Sequence, residues 1–279
     1  MKLLALIAAA AGFASAQTPD IESIMSQVGI NQAKAQELRS NYVYTQKQLL
    51  RFVRGNGKIA REERREYLVT PRLRRSKKTL VHFEGKYEEH GKYYSFDKPG
   101  YEHKGLDLDA GLINDMSNDM TDDHKSPDGI GRDLFPLTYH QQLKYNFKLL
   151  GAETYRGREV YRVSFTPKPH MEDADWKGEA LIDKAELQPV TVSTSLAWKM
   201  PLAVRTLLGT NIRGVGFTLT YQKFEDGVWF PVSYGGEFEV RGVFVYRRTM
   251  SISMVNSDFH KLDVNSTIAY QTEGKIEDK

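Results

Sequence analysis

Phe217-Thr218-Leu219-Thr220-Tyr221-Gln222-Lys223-Phe224-Glu225-Asp226-Gly227-Val228-Trp229-Phe230-Pro231-Val232 is the stretch that decides the fold class. Phe217, Leu219 and Tyr221 alternate with Thr218, Thr220 and Gln222, the two-residue period of a strand with one apolar and one wetted face. Asp226-Gly227 supplies the turn back onto Val228-Trp229-Phe230, and Pro231, which has no N–H for a ladder, marks an edge or a bulge. The pattern recurs outward in both directions. Strands are predicted over 42–53 and 58–69 around Gly55-Asn56-Gly57, over 79–89 and 92–96 around Gly91, and in a hairpin over 145–165 about Arg156-Gly157. More follow over 178–182, 190–196, 238–246 and 250–255. About ten strands against two or three helices predict a mainly β chain (α+β) built on a single curved antiparallel sheet.

The helices are fewer. Asp20 caps one that carries Ile21, Ile24, Met25 and Val28 on a stripe; Gly29 interrupts it, and a second run continues through Ala33, Ala35 and Leu38. Residues 107–120 place Leu108, Leu112, Ile113, Met116 and Met120 on one side and Asn114, Asp115, Asn118 and Asp119 on the other. Residues 198–209 set Pro201 at a first helical position, then Leu202, Val204, Leu207 and Leu208, with Gly209 as the stop. Such helices either fill a core permanently or form a movable lid, methionine-bearing surfaces adapting to varied apolar ligands.

Composition narrows the function. The 279 residues, 40% hydrophobic and 27% charged, suffice for a real core, which excludes a disordered chain. The lack of cysteine excludes disulfide scaffolds, zinc–cysteine sites, iron–sulfur ligation and thiol nucleophiles. Met1-Lys2, an apolar run over 3–13 and Ala14-Ser15-Ala16 predict a secretory signal peptide over 1–16, cleaved after Ala16, and an exported protein, most simply periplasmic. The expected organisation is then an N-terminal helical segment over 17–40, one domain over 41–270 and a flexible tail over 271–279.

Charge is distributed unevenly. Residues 51–78 hold eleven basic side chains and three acidic ones, whereas 84–133 hold thirteen acids and six bases. These runs either neutralise one another across neighbouring strands, blunt a solvated edge, or make a basic stripe of Arg64, Arg65, Arg72, Arg74, Arg75, Lys77 and Lys78 that touches an anionic membrane surface. The net charge of +3 is too small to mark a nucleic-acid binder, and nucleic acid is an unsuitable partner for an exported chain.

No catalytic constellation emerges. The seven histidines are scattered, without the spacing of a metal site. Asp107-Leu108-Asp109-Ala110-Gly111 has its glycine one place early for a calcium loop and reads as a helix cap. No phosphate loop and no G-x-S-x-G elbow occurs. Catalytic residues, cofactor and metal are all read as none, and an enzyme would need Ser, His and Asp to converge from distant positions.

Trp176-Lys177-Gly178-Glu179-Ala180-Leu181-Ile182-Asp183, then Leu187-Gln188-Pro189-Val190, then Tyr221-Gln222-Lys223-Phe224 and Asp226-Gly227-Val228-Trp229-Phe230-Pro231-Val232 resemble secreted bacterial proteins of the outer-membrane lipoprotein carrier (LolA-like) superfamily. That superfamily also includes LppX-type lipid binders and RseB-type sensors. The resemblance spans 42–264 and implies an unclosed β half-barrel covered by helices, with an apolar concavity that binds lipid or lipoprotein acyl chains for carriage or sorting at the cell envelope. No lid-locking arginine of the family maps onto a position here. The expected ligand-binding walls are Leu112, Ile113, Met116 and Met120 on one side and Leu202, Val204, Leu207 and Leu208 on another, over a floor of Phe217, Leu219, Tyr221, Trp229, Phe238 and Phe244. Two alternatives stay open: an envelope sensor or protein-interaction module of the same fold, and a secreted hydrolase.

Overall fold

Glu225, Asp226 and Gly227 do reverse the chain. Phe224 N–H donates to the Val228 carbonyl at 2.9 Å, Gly227 N–H to the Phe224 carbonyl at 2.9 Å, and Gly227 takes φ +86°, where a side chain is disfavoured. Arg54 and Lys58 close the same kind of turn around Asn56-Gly57. The computed structural model describes residues 19–70, 76–104, 107–113, 137–171, 176–197, 211–213, 216–241 and 246–262.

Among these residues twelve strands form one antiparallel sheet: β1 (Tyr42–Arg54), β2 (Ile59–Thr70), β3 (Lys77–Glu89), β4 (Lys92–Phe96), β5 (Tyr145–Tyr155), β6 (Arg158–Pro167), β7 (Trp176–Asp183), β8 (Pro189–Leu196), β9 (Asn211–Arg213), β10 (Gly216–Lys223), β11 (Trp229–Arg241) and β12 (Arg247–Lys261). The order is β4-β3-β2-β1-β12-β11-β10-β8-β7-β6-β5, with β9 beside β11. β1 against β12 joins the two halves of the chain, and β4 and β5 are the edges of a curved half-barrel that does not close. Three helical segments accompany it: α1 (Ile21–Arg39), α2 (108–113) and α3 (Tyr139–Gln142).

Three expectations are corrected. α1 runs unbroken through Gly29, because that residue is buried where the helix meets the Tyr139 backbone and the Gln142 side chain; a glycine in a helix costs about 1 kcal/mol and here admits a neighbour. β11 runs unbroken through Gly235-Gly236 rather than as two strands. A Cβ at Gly236 would overlap the Gly216 carbonyl and the Phe217 ring, so the strands draw together there as the sheet bends. β9 falls just after the stretch read as helical, which raises the strand count. Pro231 sits at a register shift, opposite Tyr221 while Ser233 faces Thr220, so the missing N–H falls in a bulge.

The inner face of the sheet has two halves of different chemistry. Over β5–β8 and β10–β12 it is apolar: Val163, Phe165, Ile182, Val192, Phe217, Leu219, Tyr234, Phe238, Met250 and Ile252 pack with Ile24, Met25 and Val28 of α1. Each such burial contributes about 1.5–3 kcal/mol. Over β2 it is ionic. Phe52 lies opposite Arg61, Leu50 opposite Glu63 and Gln48 opposite Arg65, so those β2 charges share the core face, and Glu63 is fully buried.

The basic run is thereby divided. Alternation sends Arg61, Glu63 and Arg65 inward, where the two arginines share Glu63 and Arg61 also meets Asp107, and Glu62, Arg64 and Glu66 outward, where Arg51, Arg64 and Lys86 surround Glu62 and Lys47 reaches Glu66. Arg65, expected on a membrane-facing stripe, is buried against Glu63; Arg64 pairs with Glu62; Lys78 donates to Gln46 Oε1 at 3.1 Å; only Lys77 of the described members stays simply exposed. Arg72, Arg74, Arg75, the signal segment 1–16 and the tail 271–279 lie outside the described residues.

Candidate functional site

Where α1 crosses the lower end of the edge strand β5, the sheet leaves a cavity of about 500 Å³. Ile21, Glu22, Met25 and Ser26 line it from α1, Tyr139, Gln142 and Leu143 from α3 and the residue after it, Tyr145, Asn146 and Phe147 from β5, and Lys168 from the end of β6. Its floor is apolar: Met25 and Tyr145 are buried, and Tyr145 meets the Phe165 ring edge-on at 5.9 Å. Its rim is polar, with Glu22 on one side and Lys168, whose Nζ donates to the Leu143 carbonyl at 2.8 Å, on the other.

α3 is short but firmly placed. Thr138 N–H and Oγ1 both donate to Gln141 Oε1, at 3.2 and 2.8 Å, and Gln142 Nε2 donates to the Met25 and Leu137 carbonyls at 2.9 and 3.0 Å. Gln142 therefore ties α3 to the flank of α1 and holds the slot open between them. The other half of α1 is pinned by polar contacts: Asn31 to the Glu186 and Leu187 carbonyls, Gln32 to Gln188, and Arg39 to the Trp229 carbonyl.

Seven of the fourteen expected binding residues are among those described, and none of the seven lines the slot. Leu112, Ile113, Phe217, Leu219, Tyr221, Trp229 and Phe238 are all buried in the one core cluster, packed on protein rather than around the slot. Met116, Met120, Leu202, Val204, Leu207, Leu208 and Phe244 lie outside the described residues. The slot itself joins segments about 120 positions apart, which no local pattern reports. One signal was available: Leu137-Thr138-x-x-Gln141 is a capping box, and it announces the small helix that forms the wall.

The ionic half is closed by its own partners. Arg61 reaches Glu63 (Nε–Oε1 3.0 Å), Asp107 Oδ2 (3.0 Å) and the Tyr101 carbonyl (2.6 Å), and its guanidinium lies 4.5 Å from the Phe96 ring centre. Burial by itself would raise the Asp107 carboxyl; hydrogen bonds from the His103 ring and the Ala110 N–H and the charge of Arg61 outweigh it and hold the group below its ordinary value. Outside, Glu62 is balanced the same way: burial raises it, while the hydrogen bond and charge of Arg51 and those of Lys86 carry it below its ordinary value. Asp109, at the start of α2, accepts from Tyr246 Oη at 2.5 Å and Arg248 Nε at 3.3 Å. Burial, then the charge of Asp109 and its hydrogen bond, push that phenol far up, so it remains a donor.

His103 Nδ1 lies 2.7 Å from Asp107 Oδ2, the contact a hydrolase would need. Here the carboxylate is already shared by Arg61 and the Ala110 N–H, the ring stacks on Tyr87 at 5.1 Å, and among the described residues no hydroxyl bonds to the other ring nitrogen. It is Arg61, through Asp107, that ties the start of α2 to β2. Among the described residues no three His, Asp or Glu side chains gather as a metal site, and no helix is long and apolar enough to cross a membrane.

No family model matches the chain, and no curated protein matches it. Solved structures do. It is similar to a candidate outer membrane lipoprotein-sorting protein domain from Vibrio parahaemolyticus, at 12% identity over 92% of this chain and 95% of that one, with a TM-score of 0.41. A DUF1329 family protein from Desulfovibrio piger matches at 12% identity over 91% and 97%, TM-score 0.41. A LolA superfamily protein from Nitrosomonas europaea matches at 11% identity over 88% and 94%, TM-score 0.35.

Proposed function

We propose that the protein is a non-catalytic binder of amphiphiles, taking one slender acyl chain into the slot between α1 and the β5 edge for carriage or sorting at the cell envelope. The observation that carries this reading is the slot itself: a volume within the range of small-ligand pockets, with Met25, Tyr145 and Phe147 below and Glu22, Gln142 and Lys168 around the mouth. An apolar floor takes a tail and a polar rim takes a head. The centre of the apolar inner face is a poorer host, since α1 already fills it.

The magnitude gives a sharp test. Each methylene withdrawn from water contributes about 0.8 kcal/mol, so affinity rises about fourfold per methylene until the chain outgrows the slot, and then levels. Isothermal titration with the saturated fatty acids from octanoate to tetradecanoate should trace that rise and plateau. Ser26 is exposed on the slot wall, and Ser26→Trp should fill the space, removing binding while leaving the melting temperature unchanged. Absence of binding across the series would sink the proposal. It would instead favour a sensor or protein-interaction module, the reading that the filled inner face supports.

A further inference from the structure

Exposed apolar side chains are scattered over most of the surface, but four of them gather around the slot mouth. Tyr139 is 63% exposed, Leu143 51%, Ile30 48% and Met171 37%. Ile30 continues the stripe of α1 that carries Glu22 and Ser26, since positions four apart stack on one helix face, and its neighbour Gly29 abuts the Tyr139 backbone. Met171 closes a turn onto the Lys168 carbonyl. Such a concentration of apolar surface at a concave site marks an interaction face.

Among the described residues at this end, Lys144, Lys148 and Lys168 stand against two acids, Asp20 and Glu22. Lys168 lines the slot, Lys144 accepts the Lys168 N–H through its carbonyl, and Lys148 projects from the same face of β5 as the slot residue Asn146. His140 and His170 add ring nitrogens at the same end, and among the described residues lining the slot Glu22 is the acid. Glu172, Asp173 and Asp175 follow Met171 in the sequence, outside the described residues. An aromatic ring, aliphatic side chains and lysines around the opening of an apolar slot is the arrangement that sits at a headgroup layer, rings and alkyl groups entering and ammonium groups meeting phosphate.

We propose that this rim docks on an anionic lipid bilayer and holds the slot mouth against the headgroups, so that a chain passes between membrane and protein without crossing water. The inference rests on the acyl-chain reading of the slot and adds the partner that supplies or receives the chain. It also moves the membrane-facing surface away from β2, whose described arginines are spent on Glu62 and Glu63, to the opposite edge of the sheet.

The experiment is co-sedimentation of the whole protein with phosphatidylcholine vesicles, with and without phosphatidylglycerol. The triple variant Ile30→Gln/Lys148→Gln/Met171→Gln changes the rim and leaves every slot-lining residue in place. The wild type should partition onto the mixed vesicles, and the triple variant at least about tenfold less, one lysine near an anionic surface accounting for about fivefold of that. Fatty-acid titration in solution should be unchanged in the variant. Wild-type protein that stays in the supernatant, equal partition onto pure phosphatidylcholine, or a variant that sediments like the wild type each overturns the docking face. Loss of fatty-acid binding by the wild type in solution falls on the slot reading instead, so the two failures are separable.

Discussion

Glu63→Ala is the most informative single substitution in the sheet. Both carboxylate oxygens of Glu63 are engaged: Oε1 with Arg61 Nε and Nη2 at 3.0 and 2.9 Å, Oε2 with Arg65 Nε and Nη2 at 3.1 and 2.5 Å. The three side chains are 0%, 1% and 4% exposed. Deleting the carboxylate leaves two guanidiniums out of water with their shared counter-charge gone, a defect that costs about 3–5 kcal/mol in buried pairs. Arg61 retains Asp107 and the Tyr101 carbonyl, which places the expected loss nearer the lower end, about 3–4 kcal/mol. The control is the adjacent residue. Glu62 is as buried, but its partners Arg51, Arg64 and Lys86 are 36%, 54% and 41% exposed and can turn to water, so Glu62→Ala should cost about 1 kcal/mol. Urea unfolding at constant slope reads the difference, and at about 2–4 °C per kcal/mol the melting temperature of Glu63→Ala should fall by about 6–16 °C. If the two alanine variants lie within about 1 kcal/mol of each other, water reaches Glu63 and the inner face is not closed there.

Two further outcomes follow from the same contacts. Asp107 and Glu62 are held below their ordinary values of 3.8 and 4.5, so the native state binds fewer protons than the unfolded chain in that range; stability should be full above about pH 4.5 and fall as acid protonates both groups, and a melting temperature flat from neutral pH down through that window would refute the ion-pair assignment. Gly236→Val should destabilise by about 1–3 kcal/mol through overlap with the Gly216 carbonyl and the Phe217 ring; a variant as stable as wild type would show that the strands do not draw together there.

Much of the sheet was legible because strands announce themselves locally. The 217–232 hairpin has the expected turn and faces, with Phe217, Leu219 and Tyr221 in the core and Lys223 opposite Trp229. Glycine misled where its job was tertiary. Gly29 and Gly235-Gly236 look like breaks in sequence, yet they lie inside elements because a neighbouring chain needs the space of a side chain. On β2 alternation was readable but not its sense. When both faces of a strand carry charges, the period says that Arg61, Glu63 and Arg65 point together and not which way. The register against Leu50 and Phe52 decides it.

That same register constrains where a ligand can sit. A uniformly apolar hollow would let an acyl chain lie anywhere along the sheet. With β2 lined by paired ions and the apolar strands packed under α1, a tail placed over β2 would strip hydrogen bonds from Arg61 and Glu63, and over the apolar strands it would have to displace Ile24, Met25 and Val28. The first costs several kcal/mol and the second exchanges one apolar contact for another at no net gain. Among the described residues the slot beside β5 is free of both penalties, since its floor is apolar and its volume is not filled by the chain. On the acyl-chain reading proposed above, binding at the edge rather than in the centre follows from how the charges of β2 and the helix divide the inner face between them. The strongest discriminator is accordingly positional: Ser26→Trp at the edge should block a fatty acid, whereas Leu219→Ala in the buried centre should lower stability by about 2–5 kcal/mol and leave the chain-length plateau where it was.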